Sequence, residues 1–182
     1  MNTVRPYKIL AISGSLREKS LNSALLRSVL SMVPLQATIL NDHEMAQLPH
    51  FNPDLDGNEM NTPVAQWRRL LKEADGVLIC TPEYAKGVPG CLKNALDWVV
   101  SSGELVNKPV AVICASPHPD GGAAAFASLL GTLKMMGASV VEGGTLTVPF
   151  INKKLGEDGE IKDAELKVHI ENLLNALFQE IK

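Results

Sequence analysis

The sequence predicts a doubly wound α/β sandwich built on a five-stranded parallel sheet, and three observations carry that prediction. Short apolar runs without polar alternation recur along the chain. Helical apolar stripes lie between them. Polar, turn-rich loops follow three of the runs.

The strands come first. KILAIS (8–13), GVLIC (76–80) and PVAVICAS (109–116) are almost uniformly apolar. Such runs suit strands covered on both faces, as in a parallel sheet. QATILN (36–41) and SVVEGG (139–144) are weaker candidates for two more strands. The helices alternate with them. Leu21, Ala24, Leu25, Ser28, Val29 and Met32 follow the i, i+3, i+4 series, as do Leu166, Ile170, Leu173, Leu174, Leu177 and Ile181. Three further stripes run through Val64, Trp67, Leu71 and Ala74, through Val88, Leu92, Ala95, Leu96 and Val99, and through Phe126, Leu129, Leu130, Leu133 and Met136. Each can pack one face on a sheet.

Composition sets the outer bounds. The 182 residues are 46% hydrophobic and 20% charged, which suits one core and a single domain over residues 1–182. A net charge of −3 carries no basic footprint for nucleic acid. No apolar run approaches the roughly 18 residues that span a membrane. The opening MNTVRPYK lacks the apolar stretch of a signal peptide. Cys80, Cys91 and Cys114 are too few and too scattered for a disulfide framework or a paired-cysteine metal site. Cys80 and Cys114 end apolar runs and read as buried reduced thiols, so a cytoplasmic protein is expected. Two loopier stretches, 48–63 and 149–163, complete the chain; the first is long enough to border a site, and EDGE in the second reads as a turn between short extended segments.

Ligands of open parallel sheets gather at the carboxyl ends of the strands. That singles out loops 13–22, 81–89 and 115–122. In the first, ISGSLREKSLNSALL, Ser13, Gly14 and Ser15 can turn successive backbone N–H groups into a concave nest. Ser15 and Ser20 add hydroxyls, and Arg17 adds a planar cationic fork suited to phosphate. Ser20 or Asn22 can cap the following helix, whose N-terminus favours an anion; Glu18 opposes this somewhat but can point to solvent. A capped turn that binds nothing has the same composition. The stretch matches neither GxxxxGK[ST] nor GxGxxG, and no cysteine has an arginine at the sixth following position, so a P-loop, the usual dinucleotide turn and a thiolate phosphatase are all disfavoured. In the second loop, TPEYAKGVPGCLKNALDW, Pro82 stops the strand and Pro89 starts the next helix. Glu83, Tyr84 and Ala85 lie between them, with Gly87 free to take a positive φ.

GSLREKSLN followed by PEYAKGVPGCLKNALDW resembles the NADPH-dependent FMN reductase family, a flavodoxin-like group containing chromate, quinone and azo-dye reductases. The family pattern is G-S-x-R-x-x-S-x-N after the first strand and P-E-Y-x-x-x-x-P-x-x-L-K-N-A-x-D-W after the third. The resemblance implies a flavodoxin-like three-layer sandwich. It assigns the FMN phosphate to Ser15, Arg17, Ser20 and Asn22, with backbone from Leu16 and Leu21. It sets Pro82, Glu83, Tyr84 and Ala85 beside the isoalloxazine and ribityl chain, and Ser116 near the pyrimidine edge of the ring. It implies hydride transfer from NADPH or NADH through FMN to a small-molecule acceptor such as a quinone, free flavin, azo dye or chromate, by a ping-pong scheme without a protein acid or base. It also implies a homodimer or homotetramer.

This chain departs from the pattern in places. Ala85 stands where the family often has Asn. Gly121 and Gly122 are kept, but Ala123, Ala124 and Ala125 follow where many relatives carry a basic residue, and His118 and Asp120 are unusual. His118, between Pro117 and Pro119, could border the flavin, but the reading without it is preferred and it is not assigned to the site. His43, His50 and His169 lack ligand spacing and read as surface or loop residues. Cys91 near a helix start reads as a packed thiol. Trp98 lies off the main stripe of its helix, as edge core or, given the implied oligomer, as a subunit contact. The competing function is a flavodoxin-like electron carrier with no nicotinamide turnover. Arg17 and a charge of only −3 argue against it, because such carriers are strongly acidic and lack that arginine.

Overall fold

A computed structural model describes residues 6–41, 45–57 and 62–181; His43 and residues 58–61 of the long loop lie outside them. Five parallel strands form one sheet: β1 (Tyr7–Ser13), β2 (Ala37–Asn41), β3 (Gly76–Thr81), β4 (Pro109–Ala115) and β5 (Ser139–Val148), in the order β2-β1-β3-β4-β5. That is the flavodoxin-like order, with the reversal between β1 and β3. The helices are α1 (Leu21–Leu30), α2 (Pro63–Glu73), α3 (Gly90–Asp97), α4 (Ala123–Met135), the single turn α5 (Ile151–Lys154) and α6 (Ala164–Glu180).

The unalternated apolar runs are explained by the two cores. Ile9, Ala11, Leu78, Cys80, Ala111 and Ile113 face α1 and α6, packing on Leu25, Val29, Ile170, Leu173 and Leu177. Their neighbours Leu10, Ile12, Val77, Ile79, Val110 and Val112 face α2, α3 and α4, packing on Trp67, Leu71, Leu92, Leu96, Leu129 and Leu133. Strand side chains alternate between faces, so a strand buried on both sides must be apolar at every position. All six residues of β3 are buried.

Three expectations need correction. The fifth strand does not stop at residue 144 but runs to Val148. Gly143, at φ 74°, and Gly144 bulge it out between the pairs Val110–Val140 and Val112–Thr145, after which the ladder resumes. The glycines bend the strand rather than end it. Residues 151–154 of the second loop are helical, while Leu155 and Ile161 bridge around the expected turn. Trp98 is not available as a subunit contact. It is 1% exposed, its Nε1 donates to Pro49 O at 2.8 Å, and Phe51 covers it edge-on. The long loop folds back over α3 and makes Trp98 edge core.

Candidate functional site

The carboxyl ends of β1, β3 and β4 open into the three loops singled out by sequence. Ser13 pairs with Cys80, and Thr81 with Cys114, so adjacent strands present their loops side by side. Between the loops lies a cavity of about 180 Å3, lined by Arg17, Ser20, Leu21, Asn22, Pro82, Glu83, Tyr84, Ala115, Ser116, Pro117 and His118. Ser15 joins it through a hydrogen bond to Tyr84. Of the residues expected from sequence, Leu16 instead borders a second cavity on the far side of the first loop, with Met45, Leu48, His50 and Cys91. Ala85 sits at the exposed tip of the second loop, away from the lining.

The first loop is held from below and open above. Gly14 N donates to Cys80 O at 2.8 Å, and any Cβ at Gly14 would fall 2.2 Å from Thr81 Oγ1, so only glycine fits against β3. Ser20 is the cap of α1, its Oγ accepting from Ser23 N at 3.3 Å. Asn22 is not the cap. It is buried inside the first turn and its Nδ2 donates to Ala115 O at 2.9 Å, tying α1 to β4. The N–H groups of Leu16, Leu21 and Asn22 donate to no group among the described residues. The Arg17 guanidinium is exposed and likewise has no partner there.

The second loop is a two-residue hairpin. Tyr84 and Gly87 exchange both backbone hydrogen bonds at 3.0 Å. The positive φ values belong to Ala85 (49°) and Lys86 (62°), and Gly87 does not use the freedom it has. A tight hairpin turn needs φ > 0 at both central residues, and the central residues here are Ala85 and Lys86. Gly87 is the flanking strand-like partner.

The third loop turns back through paired glycines at φ 63° and 86° before α4. Ser116 is buried, and its Oγ accepts from His118 N at 3.1 Å. His118 lines the cavity, the alternative the sequence disfavoured; its place just beyond β4, between two prolines, is the signal for it. Glu83 was foreseen as a neighbour of the site, but its side chain is engaged elsewhere. Oε2 accepts from Ala124 N at 2.9 Å and Ala125 N at 3.0 Å, and Oε1 lies 3.2 Å from Lys86 Nζ. The Ala125 amide foremost, with Lys86, holds its carboxyl below the usual range.

Among the described residues no group of His, Cys, Asp and Glu could hold a metal ion, and no helix is long and apolar enough to cross a membrane. Residues 7–153 match the family described as NADPH-dependent FMN reductase. The chain belongs to that family. Its class is therefore that of FMN-using, NAD(P)H-dependent oxidoreductases, as the motifs implied. This member is 31% identical over 172 residues to an NAD(P)H-dependent FMN reductase of Pseudomonas aeruginosa, covering 93% of this chain and 92% of that one. It is 30% identical over 173 residues to a quinone reductase of Escherichia coli, with 93% and 92% covered. Its fold superposes on FerB, a flavoenzyme NAD(P)H:(acceptor) oxidoreductase of Paracoccus denitrificans, with a TM-score of 0.86 at 28% identity, covering 96% of this chain and 97% of that one.

Proposed function

We infer that the cavity holds FMN, with its phosphate on the loop before α1 and its ring between the loops after β3 and β4. We infer also that the protein passes reducing equivalents from NADPH or NADH to a small-molecule acceptor by a ping-pong scheme. The observation that carries this reading is the donor set of the first loop. Backbone N–H groups of Leu21 and Asn22, the Ser20 hydroxyl and an Arg17 guanidinium with no partner among the described residues stand at or just before the start of a ten-residue helix, and the Leu16 N–H precedes them in the same loop. Helix N-termini with free N–H groups favour anions, and one arginine with neutral donors fits a phosphate of about −1.5 to −2 charges.

Bound FMN supplies the two-electron chemistry. The chain supplies its place. Ser15, Arg17 and Ser20 hold the phosphate through side chains, and Leu16, Leu21 and Asn22 through N–H groups. The Asn22 amide, bonded to Ala115 O, braces that helix against β4. Pro82, Glu83 and Tyr84 form the wall beside the ring and ribityl chain, Ala85 lies at the exposed tip of the same loop, and Ser116 lies at the pyrimidine edge. The carboxylate of Glu83 is spent on α4, so its contribution to that wall is its backbone. No side chain acts as general acid or base.

The acceptor is a quinone, free flavin, an azo dye or chromate; relatives at 30–32% identity are named quinone reductase, NAD(P)H-dependent FMN reductase and NADPH azoreductase, and steady-state turnover with each acceptor ranks them. A homodimer or homotetramer is expected, for which light scattering is the test. Three cysteines outside any disulfide, two of them buried, suit a cytoplasmic single-domain enzyme. The deciding experiment is the visible spectrum of protein reconstituted with FMN and desalted, before and after anaerobic NADPH and then NADH. Retained yellow flavin that bleaches is expected. Retained flavin that neither donor bleaches would support the electron carrier instead.

A further inference from the structure

Helix α4 begins without a cap of its own. Its N-cap is Gly122, in the left-handed region and with no side chain, and three alanines follow. The first N–H groups of a helix need acceptors, commonly from a Ser, Thr, Asp or Asn at the cap. Here they come from elsewhere. Asp120 takes Gly122 N on Oδ1 at 3.3 Å and Ala123 N on its carbonyl at 3.1 Å. Glu83, from the loop after β3, takes both Ala124 N and Ala125 N. Its other oxygen meets Lys86, whose Nζ also reaches Asp120 Oδ2 at 2.8 Å. Carboxylate, ammonium and carboxylate thus clasp the second loop to the third. The fit is close, since a Cβ at Gly122 would stand 2.7 Å from Cys114 Sγ and 3.4 Å from the Cβ of Glu83. The Glu83 side chain is only 10% exposed.

The two helix ends at the mouth therefore differ. The N–H groups at the start of α1 are free for an anion, whereas those of α4 already hold one that belongs to the chain.

We propose that Glu83 is a positioning residue for the flavin. By capping α4 from the neighbouring loop, its carboxylate makes one body of the two loops that flank the ring, and keeps a fixed negative charge where the helix end would otherwise present a positive one. The proposal rests on the FMN reading above. With Glu83, Lys86 and Asp120 ionised, the clasp carries one net negative charge, and Glu83→Gln removes it while leaving an oxygen to accept from the amides. Loss of that charge favours reduced over oxidised flavin, because the reduced form is the more negative.

The test uses the full chain with Glu83→Ala and E83Q. Three quantities are read: amide exchange at Ala124 and Ala125, oxidised FMN affinity by flavin fluorescence, and the relative affinity for reduced and oxidised FMN from the midpoint potential. Glu83→Ala is expected to speed exchange at both amides at least tenfold and to weaken FMN binding at least tenfold. E83Q is expected to keep both within about threefold of wild type. It should also favour reduced FMN by about tenfold, or about 30 mV for a two-electron couple. Wild-type exchange or wild-type FMN affinity in Glu83→Ala overturns the proposal, as does an unchanged relative affinity in E83Q. Should Glu83→Ala not fold, the relative affinity in E83Q decides. A wild-type protein that binds no FMN overturns the underlying reading and the proposal together; wild type that binds, with variants indistinguishable from it, overturns the proposal alone.

Discussion

Ser15 Oγ and Tyr84 OH lie 2.9 Å apart and join the first loop to the second across the mouth of the sheet. Tyr84 is 40% exposed, so the bond is wet and its net worth modest, about 1 kcal/mol. Tyr84→Phe should lower the unfolding free energy of the apoprotein by about that amount in urea. It leaves the Ser15 hydroxyl free to serve a phosphate, so FMN affinity should fall less than in Ser15→Ala. The two variants compared by flavin fluorescence check this.

The Arg17 guanidinium has no partner among the described residues, so truncating the side chain removes no contact of the fold. Arg17→Ala should keep the melting temperature within about a degree. It should weaken FMN by about 1.5–3 kcal/mol, the range for a lost charge-assisted bond. Calorimetric titration reads the difference; unchanged affinity would move the phosphate elsewhere.

Glu83 predicts a pH dependence. Its folded pKa lies below its unfolded value of about 4.3, so it contributes stability above that pH and loses it as pH falls through the folded value. Asp120 is lowered too, first by its bond to Lys86. Lys86 stays charged throughout and the Cys114 thiol stays neutral, so carboxylates alone titrate in this window. The melting temperature should drop on acidification below about pH 4.3, with a shallower slope in Glu83→Gln.

Ala85 and Lys86 occupy a backbone region that costs residues with a Cβ about 1–2 kcal/mol each. Asn tolerates that region better than Ala. Ala85→Asn should therefore raise the unfolding free energy by up to about 1 kcal/mol, read from the denaturation midpoint at constant slope.

The cysteines should separate by reactivity. Burial raises the Cys80 thiol pKa and pushes that of Cys114 up to about 12, so neither forms thiolate near neutrality. Cys91 is half-buried beside the second cavity, its Sγ 3.5 Å from Gly14 O. A disulfide reagent at pH 8 should titrate one thiol in the native protein and all three in denaturant.

What the sequence disclosed and what it hid divide by range. The β1, β3 and β4 runs, the Ser20 cap and the crowding of polar residues beyond three strands are local, and a periodicity or a turn residue announces each. The bulge at Gly143 was hidden because two glycines end a strand as readily as they kink one. The hairpin at Ala85 and Lys86 was hidden because its glycine stands one position too late to supply the positive φ. Glu83 hid its role altogether, since it caps a helix some forty residues further on. Nothing near residue 83 announces α4, and three alanines announce no cap.

The adjacency of β1, β3 and β4 has a kinetic consequence. Each pairing joins segments far apart in the chain through a helical crossover, and such contacts form late in folding. The mouth therefore does not exist until β4 has docked. Quenching of flavin fluorescence during refolding should lag the recovery of helical circular dichroism, making the cofactor a reporter of β4 docking.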